Sequence, residues 1–216
     1  FPKLTKGPFT YATYASNYLK RAQKFTNKPL KQAVIAPTAL SLIYPEEGIE
    51  GYTRQEFLDD LVSEAAKDIR QCLDAGAEKV QMDFTEGRLA VKLDPGKGIL
   101  KDFIALNNRV LEQFSAEERK KIGIHTCPGG DRHATHSGEV DYADLLPLLF
   151  ELKADNIYMQ FASERDHKKV LESIKEHRKP NQRIFLGVID VNTSKVEDPA
   201  QIEKLILQAA HYIPHE

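Results

Sequence analysis

The chain has almost no cysteine: Cys72 and Cys127 are the only two in 216 residues. Two thiols so differently placed do not make the disulfide framework of a small secreted domain, and a reducing cytoplasm is the expected compartment. Long apolar runs are missing as well. The longest, such as "LLPLLF" at 145–150, fall well short of the roughly 18 residues a membrane span needs. The first residues do not read as a signal peptide. Neither sign of charge is in excess, since 30 Lys and Arg stand against 32 Asp and Glu, for a formal net charge of -2. With the signs alternating along the chain, no nucleic-acid partner and no membrane partner is expected. No strand-like segment is followed by a glycine-rich dinucleotide fingerprint or a P-loop, which lowers a nucleotide-binding doubly wound reading.

What is present is the composition of a globular protein able to bury a core, 41% hydrophobic and 29% charged. Five segments rich in branched and aromatic residues read as strands: 33–38, 79–84, 122–127, 156–161 and 183–190. Helical patterns alternate with them. Thr53 and Glu56 fit a capping box ahead of Leu61, Ala65, Ile69 and Cys72 on one helical face, and Gly76 stands where that helix should stop. Further helices are expected near 11–26, 98–114, 141–153 and 165–178. A last one opens at Asp198-Pro199, with Ile202, Leu205, Ile206, Ala209 and Ile213 at core spacing. Strict alternation of strand and helix means a parallel sheet with helices outside.

Links from helix to strand are short, whereas 85–97, 128–140 and 190–197, which lead from strand to helix, are long and polar. That asymmetry builds one elaborate face at the strand C-termini, where α/β barrels and open α/β sheets place their sites. Thr38, Asp83, His125 with Cys127, Gln160 and Asp190 end the expected strands and should converge there. A (β/α)8 barrel is the expected fold class. A full barrel takes about 250 residues, so residues 1–216 are read as a single barrel domain lacking its first strands and its last strand-helix unit.

The most informative stretch is "IGIHTCPGGD". Side chains two apart on a strand share a face, so His125 and Cys127 can reach one metal ion, and imidazole with thiolate is a pairing zinc favours. Two donors do not make a site, and a hydrogen-bonded histidine beside a buried cysteine is the plainer alternative. Pro128-Gly129-Gly130 then lets backbone approach a ligand. His133 and His136, in the following loop, read as solvated residues ahead of metal ligands. Glu86 is either an acid-base partner of Asp83 or an exposed loop glutamate. Cys72 reads as core.

Together, "AGAEKVQMDF", "IHTCPGGD", "ELKADNIYMQFASERD" and "LGVIDVNTSKVEDPAQI" resemble the catalytic C-terminal domain of cobalamin-independent methionine synthase, and more closely its short stand-alone homologues. The resemblance runs from about residue 29 to the end and keeps the motif order. It implies a (β/α)8 barrel of the methionine synthase and uroporphyrinogen decarboxylase type, with a zinc cofactor that holds a homocysteine-like thiol as thiolate for attack on a methyl-folate-like donor. By position it implies that His125 and Cys127 are two zinc ligands. The family's glutamate ligand is matched by Gln160, which is uncharged and would hold the ion less tightly. A fourth ligand, a cysteine, would follow a further strand after "YIPHE". Asp83 matches the aspartate that holds the amino group of homocysteine, although the family's Asp-Glu-Pro is here Asp83-Phe84-Thr85. Asp83 and Gln160 are thus the expected substrate-binding residues, with Asp83 catalytic. A metal-free lyase and a non-catalytic ligand-binding barrel are the alternatives.

Overall fold

In the computed structural model, residues 2–129 and 136–213 are described. In chain order the elements are α1 (Ser16–Ala22), β1 (Lys31–Ile35), α2 (Pro37–Ser41), α3 (Arg54–Asp74), β2 (Lys79–Asp83), α4 (Gly87–Leu93), α5 (Gly98–Leu111), α6 (Ala116–Arg119) and β3 (Ile122–Thr126). A 3-10 turn (Tyr142–Asp144) then precedes α7 (Leu146–Leu149), β4 (Asn156–Gln160), α8 (His167–His177), β5 (Arg183–Gly187) and α9 (Pro199–Tyr212). All five expected strands are present.

The strands are ordered β1-β2-β3-β4-β5 in one sheet. Lys31 lies opposite Lys79 and Ile35 opposite Asp83 in the parallel β1/β2 pair, and Asn156 lies opposite Arg183 in the parallel β4/β5 pair. Sequential order has no topological switch point. It is the winding of a barrel wall, not that of a doubly wound open sheet.

The chain groups into two compact units. One comprises residues 2–84, 105–124 and 153–155. Its long helix α3 starts as the sequence requires: Thr53 accepts a hydrogen bond from the Glu56 amide, and the Glu56 carboxylate accepts one from the Thr53 amide. It stops in a Schellman motif, with Gly76 at φ +85, its amide donating to Leu73 O and that of Ala77 donating to Cys72 O. Phe57, Leu61, Ala65, Ile69 and Cys72 are buried along its inner face. Its other side carries a ladder of carboxylates that captures the N-terminal segment. Asp60, Glu64 and Asp68, one helical turn apart, accept the backbone amides of Phe9, Tyr11 and Ala15 at 3.0, 2.8 and 2.7 Å. Thr38 does not end a strand. Pro37 opens α2, and Thr38 is buried inside that helix.

The other unit comprises residues 85–104, 125–152 and the described part of 156–216. The link expected over 85–97 contains α4. The helix expected over 141–153 is divided, because Asp141 caps the 3-10 turn through the Ala143 amide and Pro147, lacking an N–H, restarts the helix. Val170, Leu171 and Ile174 of α8 are buried. No residue of α9 is, and Ile206, expected in the core, is 51% exposed. Asp190 lies three residues beyond the end of β5.

Candidate functional site

The end of β3 shows the alternation on which the pairing of His125 and Cys127 depends. Thr126, between them, is buried, and its hydroxyl bonds the Tyr142 hydroxyl, while His125 and Cys127 are half-buried. The two therefore leave the strand on the face opposite Thr126. The Cys127 thiol donates to Thr85 O at 3.8 Å. Burial pushes this thiol up, and Glu86 adds to the effect, against the opposing Gly129 amide and Arg88 cation. Gly129, at φ +79, forms the turn that follows; a Cβ there would meet Ser137 Oγ at 2.7 Å and Arg88 Cδ at 2.8 Å.

Arg88 was not among the residues singled out from the sequence, yet it ties together several parts of this region. It is only 3% exposed. One guanidinium nitrogen donates to Val140 O at 2.6 Å and the other pairs with Glu164, while the guanidinium carbon sits 4.6 Å from the centre of the Tyr142 ring. Burial pushes the Glu164 carboxyl up despite the arginine, and pushes the Tyr142 hydroxyl up as well. The available signal was an arginine inside "GRLAVKL", whose apolar spacing is helical.

Glu86 is 7% exposed and accepts from the Thr85 hydroxyl at 2.5 Å, which overturns the exposed-loop alternative. Its side chain does not cap α4. His136 is exposed, with Nδ1 2.8 Å from Ser137 Oγ, in keeping with a solvated loop residue. His133 lies outside the described residues. Gln160 ends β4, and its Oε1 accepts from Ser163 Oγ at 2.8 Å. In the other unit, Asp83 ends β2 half-buried, on the face of Gln81, whose Nε2 donates to its carboxylate at 2.6 Å. Gln81 Oε1 in turn accepts from Lys31 Nζ at 2.7 Å.

As a metal centre, the His125 and Cys127 pair has the donor chemistry of zinc but not the number of donors. Among the described residues no group of three or more His, Cys, Asp or Glu side chains is placed to hold an ion, and zinc sites in proteins use at least three protein ligands.

Residues 6–216 match the family described as cobalamin-independent synthase, catalytic domain. Among curated proteins, the chain is 26% identical over 200 residues to 5-methyltetrahydropteroyltriglutamate–homocysteine methyltransferase of Cronobacter sakazakii, an alignment covering 92% of this chain and 24% of the relative. It is 28% identical over 197 residues to the enzyme of the same name from Vibrio parahaemolyticus, covering 89% and 23%. The chain thus spans about a quarter of the length of these relatives. Among solved structures, a B12-independent methionine synthase from a Shewanella species, in complex with selenomethionine, superposes with a TM-score of 0.71 at 18% identity, over 96% of this chain and 59% of that one. A putative vitamin-B12 independent methionine synthase from Listeria monocytogenes gives 0.71 at 24%, over 98% and 63%. These two likenesses establish the fold, and with the family match over residues 6–216 the chain belongs to the cobalamin-independent synthase family, within its catalytic domain.

Proposed function

We propose that this protein is a methyltransferase that moves a methyl group to a small thiol, homocysteine-like, from a methyl-folate-like donor. The observation that carries the reading is the strand end at His125 and Cys127: an imidazole near the end of β3 and a thiol just past it, on the same side, at the C-terminal rim where barrel enzymes work, in a chain of this family. The curated relatives' names supply the donor and the acceptor.

In this reading His125 and Cys127 would be two of the ligands of a zinc ion, with the remaining positions taken by water or by groups outside the described residues. Zinc held there would supply the lowered pKa of a coordinated thiol, making thiolate available near neutral pH. The transfer itself forms a bond between sulfur and the methyl carbon as the bond from methyl to donor breaks, with the electron pair remaining on the donor. Asp83, half-buried at its strand end, orients the cationic group of the thiol substrate by charge. Thr85 and the Gly129 amide fix the Cys127 sulfur through their hydrogen bonds, and burial keeps that sulfur from titrating on its own. Arg88 packs against the turn at Gly129.

The test is transfer of label from methyl-labelled methyltetrahydropteroyltriglutamate to homocysteine, with zinc supplied. Labelled methionine, lost in Cys127→Ser and His125→Ala, is the expected result. Absence of transfer in a protein that is folded and zinc-loaded overturns the reading and leaves a metal-free lyase or a ligand-binding barrel.

A further inference from the structure

The rims of β4 and β5 carry a run of neutral polar side chains for which the proposed transfer has no task. Ser163 Oγ donates to Gln160 Oε1 at 2.8 Å, and Asn192 Nδ2 donates to Ser163 Oγ at 3.3 Å. Backbone holds the three in place. Gln160 is in register with Gly187, the Ala162 amide donates to Gly187 O at 2.9 Å, and the Asn192 amide donates to Asp190 Oδ1 at 2.9 Å. At the two ends of this run, Gln160 Nε2 and Asn192 Oδ1 are buried without a hydrogen-bonding partner among the described residues. Buried polar atoms are nearly always paired, so each exception calls for a partner such as water, an ion or a ligand, or for a functional role.

The run can be set in more than one way. Turned the other way, Gln160 would donate to Ser163 through its amino group, Ser163 would donate to Asn192 Oδ1, and the ends would be Gln160 Oε1 and Asn192 Nδ2. In both settings the ends are one donor and one acceptor, and the single Ser163 proton is used inside the run. A metal ion or an ammonium group needs acceptors only, a setting in which both amides donate to Ser163 Oγ and the hydroxyl proton is left without a place in the run, and a carboxylate needs donors only, which breaks a hydrogen bond inside it. An uncharged amide offers one acceptor and one donor, one for each end.

We propose that Gln160, Ser163 and Asn192 form a subsite for the amide of a substrate, either a primary carboxamide or a lactam, and that Gln160 serves there and not as a metal ligand. The inference rests on the proposed methyl transfer only for which substrate bears the amide.

Four small probes decide it without any turnover: acetamide and 2-piperidone, each with one donor and one acceptor, acetate with acceptors only, and acetamidinium with donors only. The readout is the side-chain NH2 resonances of Gln160 and Asn192 in nitrogen-15 spectra, assigned by their loss in Gln160→Glu and Asn192→Asp. We expect acetamide or 2-piperidone to shift both signals at concentrations about tenfold below those needed for the charged probes, as expected when a mismatched probe leaves a buried polar atom unpaired. Tighter acetamide identifies a primary carboxamide, tighter 2-piperidone a lactam. In Gln160→Glu the run ends in two acceptors, and preference should pass to acetamidinium; Asn192→Asp tests the same reversal from the other end. Equal shifts with acetate, no shift with any probe, or an unchanged preference in both variants overturns the proposal. None of these outcomes depends on whether methyl transfer is observed.

Discussion

Arg88 and Glu164 form an ion pair with both side chains out of water, 3% and 8% exposed, in which the arginine also caps Val140 O and covers the Tyr142 ring. Removing one partner strands the other charge in a dry site, which costs about 3–5 kcal/mol, whereas replacing both with apolar groups of similar volume is often near neutral. Arg88→Met and Glu164→Leu are therefore expected to lower unfolding stability strongly as single variants. The double variant should lose less than the sum. Urea unfolding of the four proteins measures the cycle, and additive losses would remove the pair as the stabilising unit.

The same arginine sets the tolerance of the turn after Cys127. Gly129 combines a positive φ with a missing Cβ that would lie inside contact distance of Ser137 Oγ and Arg88 Cδ. Gly129→Ala should destabilise by about 1–3 kcal/mol, by overpacking added to left-handed strain. An unchanged melting temperature would show that the turn relaxes freely.

In the other unit, Arg70 pairs with Glu118, which also accepts bonds from Ser115, and the carboxyl is held down at about 2 from its usual 4.5. A depressed folded-state pKa contributes stability that is present above the unfolded value and lost as pH falls through the folded one. Wild-type stability should decline between about pH 4.5 and 2, and Glu118→Gln should flatten that limb while leaving slopes above pH 5 alone. A pH series of thermal unfolding curves reads the difference.

Much of this fold could be read from the chain because its signals are local. The Thr53 and Glu56 box, the Gly76 stop and the β-branched runs act within a few residues, and the structure has each where expected. Thr38 was misplaced because Pro37 opens a helix as readily as it ends a strand. Helix α4 was missed for want of a capping side chain at Glu86. The alternation at His125 and Cys127 followed from strand period alone. Arg88, by contrast, matters through partners 52 and 76 residues away, a separation that no local pattern encodes.

The two thiols should differ sharply in reactivity. Cys72 is fully buried on α3, and burial with Asp68 nearby pushes it up to about 12, whereas Cys127 is half-buried at a strand rim. Alkylation requires thiolate and access. Iodoacetamide at pH 8 is expected to label Cys127 first and Cys72 only on unfolding, as peptide mass spectrometry would resolve. Equal labelling in the native protein would contradict the packing of α3.

Zinc affinity is the last test, and it turns on counting donors. The described residues offer an imidazole and a thiolate from one strand, and water would fill what they leave open. Each missing protein ligand costs both bond energy and preorganisation, since zinc sites are closed by three or four side chains. This 216-residue chain is therefore expected to retain well under one zinc per molecule after dialysis against a chelator, and to bind added zinc reversibly with release of protons from Cys127. Cys127→Ser should abolish that reversible binding, because burial favours the neutral thiol and only metal coordination draws off its proton. Stoichiometric zinc surviving the chelator in the wild type, measured by elemental analysis, would mean that a third protein ligand exists among the residues not described, with His133 and Asp131 the first to substitute.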